Sequence, residues 1–283
     1  MKTYLEVSIS ATESQRELLL PSLVELGFEG FQEMDTDLLG YIDKERWSAD
    51  KETELRDALK KILQTISSNA DIRFKEIEDR NWNEEWEKTI QPIEIGERIV
   101  IKPSWCEYPA TPGKIVLEID PKMSFGTGYH ETTRLVLQLM QKYVQAGDRV
   151  LDVGTGTGVL AIASVKLGAA YAYGVDIDAW SIDNAQENVG RNNVTDTVRI
   201  DDTPTEKIAG EYDLIAGNLT LNVNSALLID YRRLLKPGGV VLLSGLLSVD
   251  EPEIRRRLAE ERFNVSEMST ENEWIAIAAT KGF

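Results

Sequence analysis

The chain is poor in the residues that build most metal and disulfide chemistry. It has one cysteine, Cys106, so no internal disulfide can form, and a reducing, cytoplasmic setting is expected. It has one histidine, His130. One Cys and one His cannot make a Cys/His zinc centre, and no acidic calcium-type loop is present, so no metal is expected. No apolar run reaches the roughly 18 to 20 residues of a membrane span. The first residues, MKTYLEVSIS, alternate like a strand and lack the apolar block of a signal peptide. Positive charge is also scarce: 31 Lys and Arg face 48 Asp and Glu, a net charge of −17. Such a surface repels phosphate backbones, so tight non-specific nucleic-acid binding is not expected, nor is direct sequence-specific binding; the acidity either attracts a basic partner or only aids solubility. No internal repeat or low-complexity tract is visible.

What is there suffices for a packed protein. Of 283 residues, 42% are hydrophobic, which favours two domains or one large domain with an addition. Tyr4, Val7 and Ile9 suggest a first strand. Thr12 or Ser14 can cap a helix carrying Leu18, Leu19, Leu23 and Leu26, ended by Gly27. Strands are expected at 28–34 and 38–42, with a turn at Asp35-Thr36-Asp37. Leu55, Leu59, Ile62 and Ile66 share one face of a helix over 50–66. Residues 72–77 read as a closing strand. The order βαββαβ suggests a ferredoxin-like α+β module over 1–78. Residues 79–92 read as a polar linker helix, with Trp82 and Trp86 on one side.

Residues 93–283 read as a second domain. Strands are expected at 93–102 and 114–119, separated by the proline-rich PSWCEYPATPG. From about residue 130, helices alternate with strands. That pattern implies a parallel, doubly wound, Rossmann-like sheet.

The stretch LDVGTGTGVLAIASVKLGAAYAYGVDID, 151–178, carries the chemistry. A strand enters a glycine turn, a helix follows, and a second strand ends in Asp176. The glycines are Gly154, Gly156 and Gly158, a G-x-G-x-G pattern. The dinucleotide fingerprint is G-x-G-x-x-G, and its third glycine falls here on Val159. Asp152, two residues before the first glycine, would repel a pyrophosphate but suit a sulfonium and an ammonium. Asp176 can accept hydrogen bonds from both hydroxyls of a ribose. S-adenosylmethionine has this profile, so methyl transfer is favoured over a nicotinamide dehydrogenase. Asp178 reads as a helix cap.

Upstream, DPKMSFGTGYHETTRL places Thr132 and Thr133 near a helix start. Free N–H groups and hydroxyls there can meet a carboxylate. His130 reads as structural. Downstream, Asn218 falls at the C-terminal edge of a strand, where open α/β sheets place ligands. Its side-chain carbonyl can accept an N–H from an incoming amine and aim the nitrogen lone pair, which makes it the candidate catalytic residue. Asn222 and Asn224 read as ordinary helix-start residues.

These segments together resemble the PrmA family, the methyltransferases of large-subunit ribosomal protein eleven. The likeness runs over nearly the whole chain and includes DRNWNEEWEKTIQPIEIGERIVIKPSW, DPKMSFGTGYHETT, DVGTGTGVLAIASVKLGA, GVDIDAWSIDNAQENV and LSGLL. The resemblance implies that Thr133, Gly154, Asp176 and Asn218 contact S-adenosylmethionine, with Gly156 in the same turn. It implies that the N-terminal module recognises the ribosomal protein, and that lysine side-chain and N-terminal amines are methylated. Tyr129 and Glu131 depart from the family's usual G-T-G-T-H-P-T-T, and Leu219-Thr220-Leu221 from its N-I-L-A-N. Other readings remain: methyl transfer to another protein or a small amine, or a non-catalytic S-adenosylmethionine-binding, ribosome-associated protein.

Overall fold

The computed structural model describes residues 3–28, 30–34, 37–43, 52–65, 71–78, 91–109, 111–120 and 124–282. They belong to two compact units, 1–89 and 90–283. The linker helix expected at 79–92, with Trp82 and Trp86, lies almost wholly outside the described residues, as do Ile66 and residues 35 and 36 of the expected turn.

The first unit alternates as its sequence does. β1 (Thr3–Ser10), α1 (Glu13–Glu25), β2 (Gly30–Glu33), β3 (Asp37–Asp43), α2 (Glu52–Thr65) and β4 (Ile72–Glu78) give the order βαββαβ. The sheet runs β2-β3-β1-β4, antiparallel throughout. Val7, Ile9, Leu38 and Ile42 turn one sheet face onto Leu19 and Leu23 of α1 and Leu55 and Leu59 of α2, all buried. The period of two in β1 and the helical spacing in α2 meet across that layer. The first strand of the pair after α1 is shorter than expected. Phe28 leaves the strand and lays its ring where a Cβ on Gly40 would stand, 2.7 Å away.

The second unit opens with a small sheet, β5 (Ile93–Ile95), β6 (Ile99–Lys102) and β7 (Ile115–Glu118). The single strand expected over 93–102 is instead a hairpin. Gly96, at φ +60°, turns the chain back, so β5 and β6 are antiparallel. A Cβ there would meet the Gln141 amide at 2.6 Å.

The main layer follows: α3 (Glu131–Tyr143), β8 (Arg149–Val153), α4 (Val159–Leu167), β9 (Tyr171–Val175), α5 (Ala179–Arg191), β10 (Val198–Asp201), β11 (Tyr212–Asn218), α6 (Leu221–Leu234), β12 (Leu235–Leu247), α7 (Glu251–Glu260), β13 (Phe263–Glu271) and β14 (Trp274–Lys281). The seven-stranded sheet has the order β10-β9-β8-β11-β12-β14-β13. The first five strands are parallel; β14 and β13 close the far edge antiparallel. It is a Rossmann-like sheet whose parallel strands read as short apolar runs because both faces are covered. One face packs on α3, α4 and α5, the other on α6 and α7. β13 is absent from the sequence reading. Its FNVSEMSTE is a polar edge strand with only Phe263 buried, so it carries little apolar alternation. The Lys236-Pro237-Gly238-Gly239 stretch lies within β12 and shifts its register, pairing Tyr212 with Leu235 and then Leu214 with Val240.

Candidate active site

β8 is flanked by β9 and β11. The chain leaves β8 for one face of the sheet and β11 for the other. The two exits open a crevice at the C-terminal edge of the strands, the usual ligand position in such sheets. A cleft of about 670 Å³ lies there, lined by Gly154, Gly156, Asp176, Ile177, Asn218 and Trp274 among others. That volume is in the range of small-molecule sites.

The glycine turn needs all three of its glycines, for different reasons. Gly154, Gly156 and Gly158 have φ of +74°, +53° and +81°, a region side chains disfavour. A Cβ on Gly154 would stand 2.5 Å from the Leu219 side chain, and one on Gly156 would stand 2.3 Å from the Phe125 carbonyl oxygen. A Cβ on Gly158 would press on Ala185 of α5 at 3.1 Å. So the third glycine serves helix-to-helix packing, and Val159 can follow it without crowding a ligand. The Gly156 N–H donates to Asp176 Oδ2 at 2.9 Å, and the Asp178 N–H to Asp176 Oδ1 at 3.1 Å. These two bonds hold the Asp176 carboxylate on the cleft wall. Asp178 caps α5 through Ser181 N–H at 3.1 Å.

Asp152 does not border the cleft as the sequence reading supposed. Its side chain is fully buried. Oδ2 accepts from the Thr155 hydroxyl at 2.6 Å and the Ala161 N–H at 3.1 Å, while Oδ1 has no hydrogen-bond partner among the described residues. The carboxylate ties the glycine turn to the start of α4. Burial pushes its pKa up to about 7, against the pull of those hydrogen bonds; Asp176 nearby adds to the rise. A fully buried carboxyl that keeps its proton up to about neutral pH, away from the cleft, is a poor counter-ion for a bound cation.

The segment from Phe125 to Gly128 straps onto the turn. Thr157 donates its N–H to the Phe125 carbonyl at 2.9 Å and its hydroxyl to the Gly126 carbonyl at 2.6 Å. His130 caps α3, accepting from Thr132 N–H at 3.3 Å and meeting the Thr132 hydroxyl at 2.9 Å. The first turn of α3 is therefore satisfied internally rather than left open to a carboxylate. Thr132 lines the cleft; Thr133 does not. Thr133 is fully buried and accepts from Asn218 Nδ2 at 3.3 Å. That contact leaves the other end of the amide, Oδ1, buried and without a hydrogen-bond partner among the described residues. Such an atom is costly to leave unpaired and is a natural acceptor for a ligand N–H.

Sequence reasoning missed the aromatic wall. The His130 ring lies 5.2 Å from Phe125 and 4.9 Å from Trp274, edge-on to the latter. Trp274 reaches the cleft because the β13–β14 hairpin docks on α3: Arg134 pairs with Glu271 at 2.5 Å, and Asn272 donates to Glu131 at 3.0 Å. With β13 unrecognised, nothing in the sequence placed Trp274 beside the site. The two unusual residues of the Gly-Thr-Gly segment are also accounted for. Glu131 receives Asn272, and the Tyr129 hydroxyl donates to the Gln91 carbonyl.

A turn that tolerates no Cβ, an acid anchored beside it and an asparagine with an unpaired amide oxygen at the next strand end suit an S-adenosyl group and an amine. Comparison with known proteins agrees. The profile of the family described as ribosomal protein L11 methyltransferase (PrmA) matches residues 3–282. The chain belongs to the PrmA family. A ribosomal protein L11 methyltransferase of Chlorobaculum tepidum is 39% identical over 279 residues, covering 96% of this chain and 95% of the relative. One from Syntrophomonas wolfei is 35% identical over 237 residues, covering 82% and 77%. The crystal structure of a ribosomal protein L11 methylase from Lactobacillus delbrueckii subsp. bulgaricus is similar at 30% identity and a TM-score of 0.65, covering 69% of this chain and all of that one.

Proposed function

We propose that this PrmA-family chain is an S-adenosylmethionine-dependent N-methyltransferase acting on amines of ribosomal protein L11, lysine side chains and the N-terminus among them. The observation that carries the reading is Asn218, a residue of the cleft lining at the end of the strand beside β8, whose Oδ1 is buried and has no hydrogen-bond partner among the described residues. When bound, S-adenosylmethionine supplies a methyl group on a cationic sulfur, an electrophile for an amine.

The chain's own residues do the rest. Gly154 and Gly156 let the backbone approach the cofactor, and Asp176 accepts from its ribose hydroxyls. Thr133 holds Asn218 Nδ2, which fixes where Oδ1 points. Oδ1 accepts an N–H of the neutral amine and so aims its lone pair. An ordinary lysine has a pKa near 10.4, so holding it neutral at pH 7.4 costs about 4 kcal/mol. The apolar wall of Phe125, Leu219 and Trp274 opposes the charged form by desolvation. No general base is assigned.

Residues 1–78 serve as the substrate-recognition domain in this reading. They hold ten Lys and Arg against seventeen Asp and Glu, which suits a basic protein better than RNA. Among the described residues no helix is long and apolar enough to cross a membrane, and a single cysteine accords with cytoplasmic work. The test is Asn218→Ala, assayed for transfer of labelled methyl to purified L11. We expect kcat to fall about 100-fold or more, as for loss of other alignment contacts, a larger loss than that in S-adenosylhomocysteine affinity. Turnover near that of the unmodified chain would remove Asn218 from the reaction.

A further inference from the structure

We propose that Asn224 is a positioning residue for this reaction, acting on Asn218 through the backbone of Leu219. The inference rests on the catalytic reading of Asn218 given above. The sequence offers no reason to single Asn224 out, since it lies in the first turn of α6 where asparagine is common. The neighbouring Asn222 is exposed, as a helix-start residue normally is. Asn224 is instead fully buried.

Its amide nitrogen makes two bonds, to the Leu219 carbonyl at 2.7 Å and the Ser244 carbonyl at 3.0 Å. Leu219 follows the end of β11 and lines the cleft, and Ser244 of β12 precedes Gly245, which also lines it. Asn218 is the last residue of β11, and it pairs with Ser244 of β12. Beyond it, Leu219 N–H donates to the same Ser244 carbonyl at 3.1 Å. The side chain of Asn224 thus closes the pairing that the strands themselves can no longer continue. Asn218 sits at the hinge of that closure.

Two glycines make room for it. A Cβ on Gly217 would stand 2.7 Å from Asn224 Oδ1, so the residue just before Asn218 must lack one. A Cβ on Gly245, at φ +76°, would stand 2.5 Å from the Leu219 carbonyl oxygen. On the cleft side, the Leu219 side chain fills the space over Gly154. Leu219 is therefore held at its N–H by Ser244 and at its carbonyl by Asn224, with Gly245 close against its backbone. Without Asn224 the Leu219 carbonyl loses its side-chain donor, and the Leu219–Thr220 peptide gains freedom one residue beyond Asn218, whose Oδ1 must be aimed. Displacement of an aligning group by about an ångström costs on the order of 100-fold in rate.

The experiment is a double-mutant cycle in the full chain, with S-adenosylmethionine and L11. Asn224→Ala should lower kcat about 10- to 100-fold, with KM for S-adenosylmethionine and the affinity for S-adenosylhomocysteine each within about threefold. In an Asn218→Ala background, Asn224→Ala should cost less than about twofold more, because the group it aims is already gone. Asn224→Asp keeps the shape and leaves at most one donor, a protonated carboxyl, for the two carbonyls, so it should also lower kcat and supplies the answer if the alanine variant does not fold. A purely structural role would multiply the two losses in the cycle or weaken cofactor binding alongside kcat, and either result overturns the proposal. Normal turnover in a folded Asn224 variant, with Asn218→Ala crippled, overturns this inference alone. Normal turnover in Asn218→Ala overturns both it and the reading beneath it.

Discussion

The buried Asp152 makes a prediction whose sign and size follow from its surroundings. An ordinary aspartate has a pKa of 3.8; burial moves this one up to about 7. The folded chain therefore binds a proton here that the unfolded chain has released across that window. Stability falls with rising pH wherever the folded state holds more protons. The contribution of Asp152 is most favourable below pH 3.8, declines between there and pH 7, and is level above. At 1.36 kcal/mol per pH unit, about 3 kcal/mol of that decline falls between pH 5 and pH 8. Asp152→Asn keeps an oxygen to accept from Thr155 and Ala161 and places an amide where the unpaired Oδ1 stands. It removes the titration and little else. The assay is thermal unfolding of both proteins at matched pH values. Other carboxylates titrate alike in the two, so the difference in Tm isolates this group. For a unit of this size we expect the variant's advantage to grow by roughly 6 to 12 °C from pH 5 to pH 8. A difference in Tm that stays constant over that range would refute the assignment of a protonated, buried carboxyl.

Two further predictions concern the cofactor cradle. Gly156→Ala forces a side chain into a left-handed conformation costing about 1 to 2 kcal/mol, and it drives a Cβ toward the Phe125 carbonyl. S-adenosylhomocysteine should bind at least about tenfold more weakly by calorimetry, and unchanged affinity would mean that the turn does not hold the cofactor. Asp176→Asn removes a charged acceptor worth about 1.5 to 3 kcal/mol per hydrogen bond. Affinity should fall roughly 10- to 100-fold with kcat at saturation little altered; an intact affinity would separate Asp176 from the ribose.

Much of this was legible in the sequence because the chemistry is local. The turn after β8, its three glycines and Asp176 lie within one strand–helix–strand unit, and their spacing, with Val159 in place of a third fingerprint glycine, favours this site over a dinucleotide fold. Asn218 was legible because strand ends in open α/β sheets face the ligand. What escaped was long-range. Trp274 depends on β13, whose polar edge carries little apolar alternation, and on the Arg134–Glu271 pair, two residues 137 apart in the chain. A helix start offers free donors, which points Thr133 at the cleft, yet His130 accepts the Thr132 N–H and Thr133 turns behind Asn218. Asp152 was read as facing a ligand from its place before the glycines. Its direction depends on the strand pleat, and it falls on the side of α4, where Ala161 N–H waits. Asn224 looked like any polar residue in a first turn because its partners, Leu219 and Ser244, come together only when β11 and β12 pair.

The most direct test of the central claim is the intact mass of purified ribosomal protein L11 after incubation with this chain and S-adenosylmethionine. The account predicts steps of one methyl mass, mapping to lysine side chains or the N-terminus, and their loss with Asn218→Ala. An unshifted mass, with cofactor binding verified in the same sample, would contradict it.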